Sequence, residues 1–195
     1  MIPKIDSEIG ISVYTTKFSG CGGIIKKQND DFTVSEVITE KAHSRICSDS
    51  GYVVYKLKKN GIDTTHALGK IFKKHGLRLK ALGLKDASAV TEQFVFTTSK
   101  MKHDFEINEP RYSLKKIGFT DKPLSKKEMV GNHFQIKIDN ASDIVSQFEE
   151  YDRILNFYGY QRFGSTRPIS HLIGKSLLQK NYLNTIQILL SYTSE

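Results

Sequence analysis

Apolar and polar residues alternate from Phe32 to Ile38, in the run Phe-Thr-Val-Ser-Glu-Val-Ile, and this predicts a strand. Gly51 precedes a second strand over 52–58, and Asn60-Gly61 signals a turn after it. Asp63 or Thr64 can then cap a helix, because a side-chain oxygen there accepts a first-turn N–H that has no partner within the helix. Ala67, Leu68, Ile71 and Phe72 give that helix one apolar face, and Gly76 can stop it. Further strands are predicted over 79–84, 93–98, 112–119 and 133–138, with a polar connection over 121–127 between the last two. After Asn140, the residues Ile144, Val145, Phe148, Tyr151, Ile154, Leu155 and Tyr158 recur at helical spacing. A glycine-punctuated segment follows over 159–164, then two helical stretches near 171–179 and 183–190. Strands fill the first two-thirds and helices the end. That order predicts an α+β fold, a mixed or antiparallel sheet flanked by helices, rather than repeating βαβ units.

The chain has 195 residues, enough for one domain or one domain plus part of another at about 100–200 residues each. Ordinary apolar and charged contents of 38% and 26% exclude global disorder. No apolar run approaches the roughly 20 residues of a membrane span. The first ten residues mix Lys4, Asp6 and Glu8 with few apolar positions and lack the apolar region of a secretory signal. The expectation is a cytoplasmic protein without a membrane partner. Cys21 and Cys47 form no C-x-x-C pair, and the six histidines are scattered with no H-E-x-x-H helix, so no metal site is expected. Lys plus Arg exceed Asp plus Glu by 29 to 21, for a net charge of +8. Such a balance suits a polyanion such as nucleic acid, and equally a solvated lysine surface.

Familiar nucleotide-binding loops are missing. Gly20-Cys-Gly-Gly23 has close glycines, but Ile25 breaks a G-x-G-x-x-G, and it reads as a flexible turn before a strand. Three other segments carry candidate chemistry. Ala81-Leu-Gly-Leu-Lys-Asp-Ala-Ser-Ala-Val-Thr-Glu-Gln93 places one aspartate after an apolar strand, where it can either project into a cleft or cap a turn while Ala89 and Thr91 pack. Lys26-Lys-Gln-Asn-Asp-Asp-Phe32 lies between a glycine turn and a strand. Gly131-Asn-His-Phe134 opens a strand, with Phe134 either core or a base-stacking platform.

Together these segments resemble the TruD family of tRNA pseudouridine synthases. The family's Gly-x-Lys-Asp followed by Ala-x-Thr-x-Gln is matched by Gly83, Lys85, Asp86, Ala89, Thr91 and Gln93. Its early lysine and Asp-Phe-x-Val-x-Glu stretch match Lys26 and Asp31-Phe32-Thr-Val-Ser-Glu36. Its Asn-x-Phe matches Asn132 and Phe134. Its Asn, two aromatics and Gly-x-Gln-Arg-Phe-Gly match Asn156-Phe-Tyr-Gly-Tyr-Gln-Arg-Phe-Gly164, although Leu155 stands where proline is common and the aromatic pair is reversed. His171 and Gly174 are similar to archaeal or eukaryotic members.

The resemblance implies isomerisation of uridine to pseudouridine in tRNA, at position 13, without cofactor or metal. It implies that Asp86 is the catalytic carboxylate, acting on the ribose either as nucleophile or as base. Lys26 is its implied cationic partner, since consecutive strand residues point to opposite faces and disfavour Lys85. A nearby cation opposes the desolvation that would protonate a carboxylate in a dry pocket. Phe134 is the natural platform for a base drawn from its stack, and Asn132 can hydrogen-bond the nucleotide. Gln161 and Arg162 serve either a structural turn or contact with the site or RNA. Lys70, Lys73, Lys74, Arg78 and Lys80 can hold phosphates or form a solvated helix face.

Family chains run far longer. The expectation is therefore an incomplete pseudouridine-synthase catalytic fold. Residues 1–164 would form the N-terminal part of the catalytic domain, and 165–195 a helical segment at the start of an inserted domain. The alternative is a truncated or inactive remnant that binds RNA and needs a complementary C-terminal polypeptide. An unrelated basic RNA-binding module is disfavoured by four motifs in family order.

Overall fold

The computed structural model describes residues 4–46, 49–101, 106–143, 146–147, 151–155, 159, 162–164 and 167–191. They fall into two compact units, Cys21–Ser142 on the one hand and Met1–Gly20 with Asp143–Glu195 on the other.

The first unit is a sheet wrapped on two cores. Its strands are β1 (Ile24–Ile25), β2 (Phe32–Ile38), β3 (Tyr52–Asn60), β4 (Leu79–Ala81), β5 (Val90–Thr97), β6 (Ile107–Glu109), β7 (Tyr112–Thr120), β8 (Met129–Ile136) and β9 (Ile138–Asp139). Among the described residues the main sheet runs β6-β7-β3-β5-β2-β8, and β4 pairs with β5 off that path. Among the described residues, β2 and β5 alone pair in parallel. β1 and β9 form a separate antiparallel pair. The alternation over 32–38 thus folds as β2, and the strands expected at 52–58, 93–98, 112–119 and 133–138 form with shifted ends.

β5 carries two neighbours on one edge. Val90, Thr91 and Glu92 pair in parallel with β2, while Val95, Phe96 and Thr97 pair antiparallel with β4. The sheet forks between them, and the loop from β4 to β5 crosses the fork. It is this loop that carries Gly83, Lys85 and Asp86.

Helix α3 (Thr64–His75) covers one face, with α2 (Glu40–Ser44) against the other core. Asp63 caps α3 by accepting the His66 N–H at 3.0 Å. Gly76 ends it in a left-handed conformation at φ 69° and donates its N–H to the Phe72 carbonyl at 2.8 Å. Ala67 and Ile71 are buried against Val53, Tyr55, Leu57 and Val95. Phe72 departs from the expected apolar face, because it stays partly exposed beneath the Arg78 guanidinium, 4.7 Å from its ring centroid. The other face buries Ile38, Ala42, Ile46, Val54, Phe94 and Phe96.

In the second unit, α1 (Lys4–Glu8) precedes α4 (Ser170–Leu178) and α5 (Tyr182–Ser191). α4 and α5 meet at a turn in which Ser176 donates to the Asn181 carbonyl at 2.8 Å and Thr185 to the same carbonyl at 3.0 Å. Much of the helix expected between Ile144 and Tyr158 lies outside the described residues, but residues 151–155 within it are not helical. Ile154 and Leu155 there are exposed. Helical stability comes mainly from packing an amphipathic face, and periodicity without a packed face does not suffice. Among the described residues no helix is long and apolar enough to cross a membrane, and no group of His, Cys, Asp or Glu is arranged to hold a metal ion.

Candidate active site

The fork in the sheet leaves a backbone donor without a strand partner. Glu36 of β2 fills that place: its Oε2 accepts the Phe94 N–H at 2.9 Å. Its Oε1 accepts from Lys85 Nζ at 3.1 Å, with the Glu36 side chain 0% and the Lys85 side chain 8% exposed. One buried carboxylate therefore joins β2, β5 and the loop. Lys85 and Asp86 lie in that loop rather than on a strand, so strand alternation does not govern where Lys85 points.

The rest of the loop is held by buried polar groups. Gln93 donates from Nε2 to the Gly83 carbonyl at 2.9 Å and accepts the Thr64 hydroxyl at 2.8 Å. The Thr64 Oγ1 accepts the Lys85 N–H at 2.9 Å, and the Thr64 N–H donates to the Lys85 carbonyl at 3.2 Å. A first-turn donor of α3 thus finds its acceptor in the loop rather than in water. Lys59 of β3 donates to the carbonyls of Ile62, Lys85 and Asp86 at 2.8, 3.1 and 2.8 Å. Ala89 and Thr91 pack in the interior, as the turn-capping alternative also required.

Asp86 itself is exposed, and among the described residues its carboxylate makes no hydrogen bond or ion pair. The backbone beneath it is fixed while the side chain is left available.

Asn132 and Phe134 lie on β8, which pairs with β2 beside the fork, and Lys26 follows β1. Cross-strand partners share a face. Asn132 is opposite Glu36, and Phe134 is opposite Val34. Phe134 is 53% exposed and meets the Phe32 ring edge-on at 6.1 Å. Lys26 Nζ stands 4.1 Å from the centroid of the same Phe32 ring. The structure thus gathers Lys26, Phe32 and Phe134 in one contact chain, with Asn132 on the same face next to the carboxylate that holds Lys85. It does not pair Lys26 with Asp86. Arg162 belongs to the second unit, where its N–H donates to the Gly159 carbonyl at 3.1 Å. Gln161 lies outside the described residues.

Sequence reasoning missed Lys59, gave Thr64 only as a possible helix cap, and assigned no role to Glu36. A signal for Lys59 was present: it continues the inward parity of Val53, Tyr55 and Leu57.

The model of the family "tRNA pseudouridine synthase D (TruD)" matches residues 8–195. The chain belongs to the TruD family. A Methanosarcina mazei relative described as "Probable tRNA pseudouridine synthase D" is 30% identical over 197 residues, covering 93% of this chain and 44% of its own length. A Saccharolobus solfataricus relative of the same description is 30% identical over 198 residues, covering 97% and 52%. A crystal structure of a TruD protein from Methanosarcina mazei superposes with a TM-score of 0.77 at 26% identity, over 100% of this chain and 47% of that one. This chain therefore spans about half the length of these TruD relatives.

Proposed function

We propose that this chain forms the N-terminal part of an enzyme that isomerises uridine to pseudouridine in tRNA, at position 13, with Asp86 as the catalytic carboxylate. The observation that carries this reading is the Asp86 loop, whose backbone is fixed by Lys59, Thr64 and Gln93 while the carboxylate stays exposed. Pseudouridine formation breaks the N1–C1′ bond, turns the uracil over and joins C5 to C1′. Asp86 either attacks C1′ or removes a ribose proton, and both roles need a carboxylate held at one place. Phe134 offers a half-open ring face to an unstacked base, and stacking recovers about 1–3 kcal/mol of the cost of flipping it. Asn132 would bond the nucleotide beside it, and Lys26 would meet the RNA next to the Phe32 ring. Gln161 and Arg162 are assigned to the same substrate. Residues 1–164 would belong to the catalytic domain and 165–195 to the start of the inserted one.

A second reading is an RNA-binding part that turns over only with a complementary C-terminal polypeptide. The outer edge of β8 favours it. Among the described residues that edge has no strand partner, and Val130, Phe134 and Ile136 are exposed along it. An open edge of this kind pairs readily with another strand.

The deciding experiment incubates the chain with an unmodified tRNA transcript and maps pseudouridine chemically, alongside Asp86→Asn. Product in the parent that is lost in the variant supports the enzyme. RNA binding without product, rescued by adding the C-terminal half of the Methanosarcina mazei relative, supports the second reading. Equal product from parent and variant removes Asp86 from the mechanism.

A further inference from the structure

Lys59 is 1% exposed, although a lysine is almost never fully buried without a partner. An ammonium has three N–H donors and no acceptor. All three find carbonyls, those of Ile62, Lys85 and Asp86. Its side chain thus ties the end of β3 to the turn before α3 and to both residues of the Lys85-Asp86 pair. A neutral side chain of the same length would take this donor from the Ile62 and Asp86 carbonyls and leave the Lys85 carbonyl to Thr64 alone, and each unpaired group in the interior costs free energy.

The charged groups around it are few. Asp63 at the N-cap of α3 and Asp86 on the loop favour its positive charge, and Lys85 on the same loop opposes it. Tyr112 lies opposite it on β7, and burial keeps that phenol neutral by raising its pKa. Burial outweighs the two carboxylates, and the Lys59 pKa falls from the ordinary 10.5 to about 8.

The geometry points to Lys59 as the positioning residue for Asp86: its ammonium pins the loop backbone on which the carboxylate stands and sets a positive charge beneath it. This rests on the reading of Asp86 as the reacting carboxylate. Lys59 does not touch the RNA. It acts through the place and the charge environment of Asp86. The role inferred for Lys26 from family resemblance, a cation beside the aspartate, is filled from below by a residue outside the four motifs.

The test uses the full 195-residue chain. Lysine side-chain NMR follows the Lys59 titration in the parent and in Asp86→Asn, a variant that keeps every contact of the Lys59 ammonium. Lys59 is expected to titrate near about 8 in the parent and at a lower pH in Asp86→Asn, because one favourable charge is gone. An unchanged titration overturns the link. In the pseudouridine assay, Lys59→Met is expected to lower kcat by about a hundredfold, the scale of a misplacement of about 1 Å, with KM for tRNA unchanged. The parent's kcat should fall as pH rises through about 8, and Lys59→Met should lack that limb. The same limb in both proteins, or a loss confined to KM, overturns the inference. Should Lys59→Met not fold, the comparison of parent with Asp86→Asn decides. A parent that makes no pseudouridine counts against the proposed function alone, because the titration still decides whether Lys59 senses Asp86.

Discussion

Glu36 and Lys85 form an ion pair at 3.1 Å beneath the surface, with the Glu36 carboxylate also receiving the Phe94 N–H. The pair closes the gap where β2 and β4 part along β5. Its worth lies in satisfied geometry, since two buried charges repay their desolvation only when their remaining bonds are made. Removing one partner is another matter. Lys85→Met would leave the carboxylate buried without its cation, and a loss of about 3–5 kcal/mol is expected. Urea denaturation of the two proteins measures it. A loss below about 1 kcal/mol would show that the pair behaves as a surface salt bridge.

Gln93 spans the interior from Gly83 to Thr64. Gln93→Leu keeps the volume roughly and removes both bonds. The Gly83 carbonyl then has no donor, which costs about 1–3 kcal/mol. A lowered thermal midpoint, together with faster amide exchange in the loop over 83–88, is the expected result. Slow exchange there in the variant would mean that Lys59 and Thr64 suffice.

Phe134 is exposed, and its ring touches Phe32 edge-on. Phe134→Ala should therefore separate binding from stability. Exposed positions usually change stability within about 0.5 kcal/mol, whereas loss of a stacking platform weakens binding of a single-stranded RNA by about 1–3 kcal/mol. Fluorescence anisotropy with a labelled oligonucleotide and a denaturation curve are read together. A large loss of stability with unchanged binding would assign the ring to the core.

Lys59 gives the fold a pH dependence of definite sign. Burial lowers its pKa from the ordinary 10.5 to about 8 in the folded chain. Between those values the unfolded chain holds more protons, so stability rises with pH across that window. Below about 8 both states carry the proton, and this residue contributes no slope. The difference between parent and Lys59→Met, measured by denaturation on either side of about 8, isolates it. A parent that loses stability relative to the variant as pH rises through the window would reverse the sign and remove burial as the cause.

Much of this was legible in the chain. β2 announces itself by alternation, β3 by Gly51 before it and the Asn60-Gly61 turn after it, and α3 by Asp63 at one end and Gly76 at the other, because these are local signals. β1, β6 and β9 are too short to show a period. The spacing between Ile144 and Tyr158 reads as a helix, yet residues 151–155 take no helical form, since spacing says nothing about what lies opposite. The motif residues were legible as a set, but what each does was not. Glu36 gains its role only because β2 lies parallel to the start of β5, a register between distant segments. Lys59 was written into the inward parity of β3, where a charge is easily mistaken for part of the basic run Lys56-Leu-Lys-Lys59.

The forked edge of β5 also bears on how the protein comes together in time. β4 meets β5 across a short loop, but Glu36 lies 58 positions from Phe94 and 49 from Lys85. Contacts between distant segments close slowly, because chain entropy must be lost before they reward it. The hairpin of β4 and β5 can form early with its loop still unpinned on the β2 side. Lys85 gains its Glu36 partner only when β2 docks, so closure of this ion pair marks completed pairing along β5. A ligand that recognises the side chain of Lys85 in its paired position would therefore bind molecules in which β2 has docked and ignore those in which it has not.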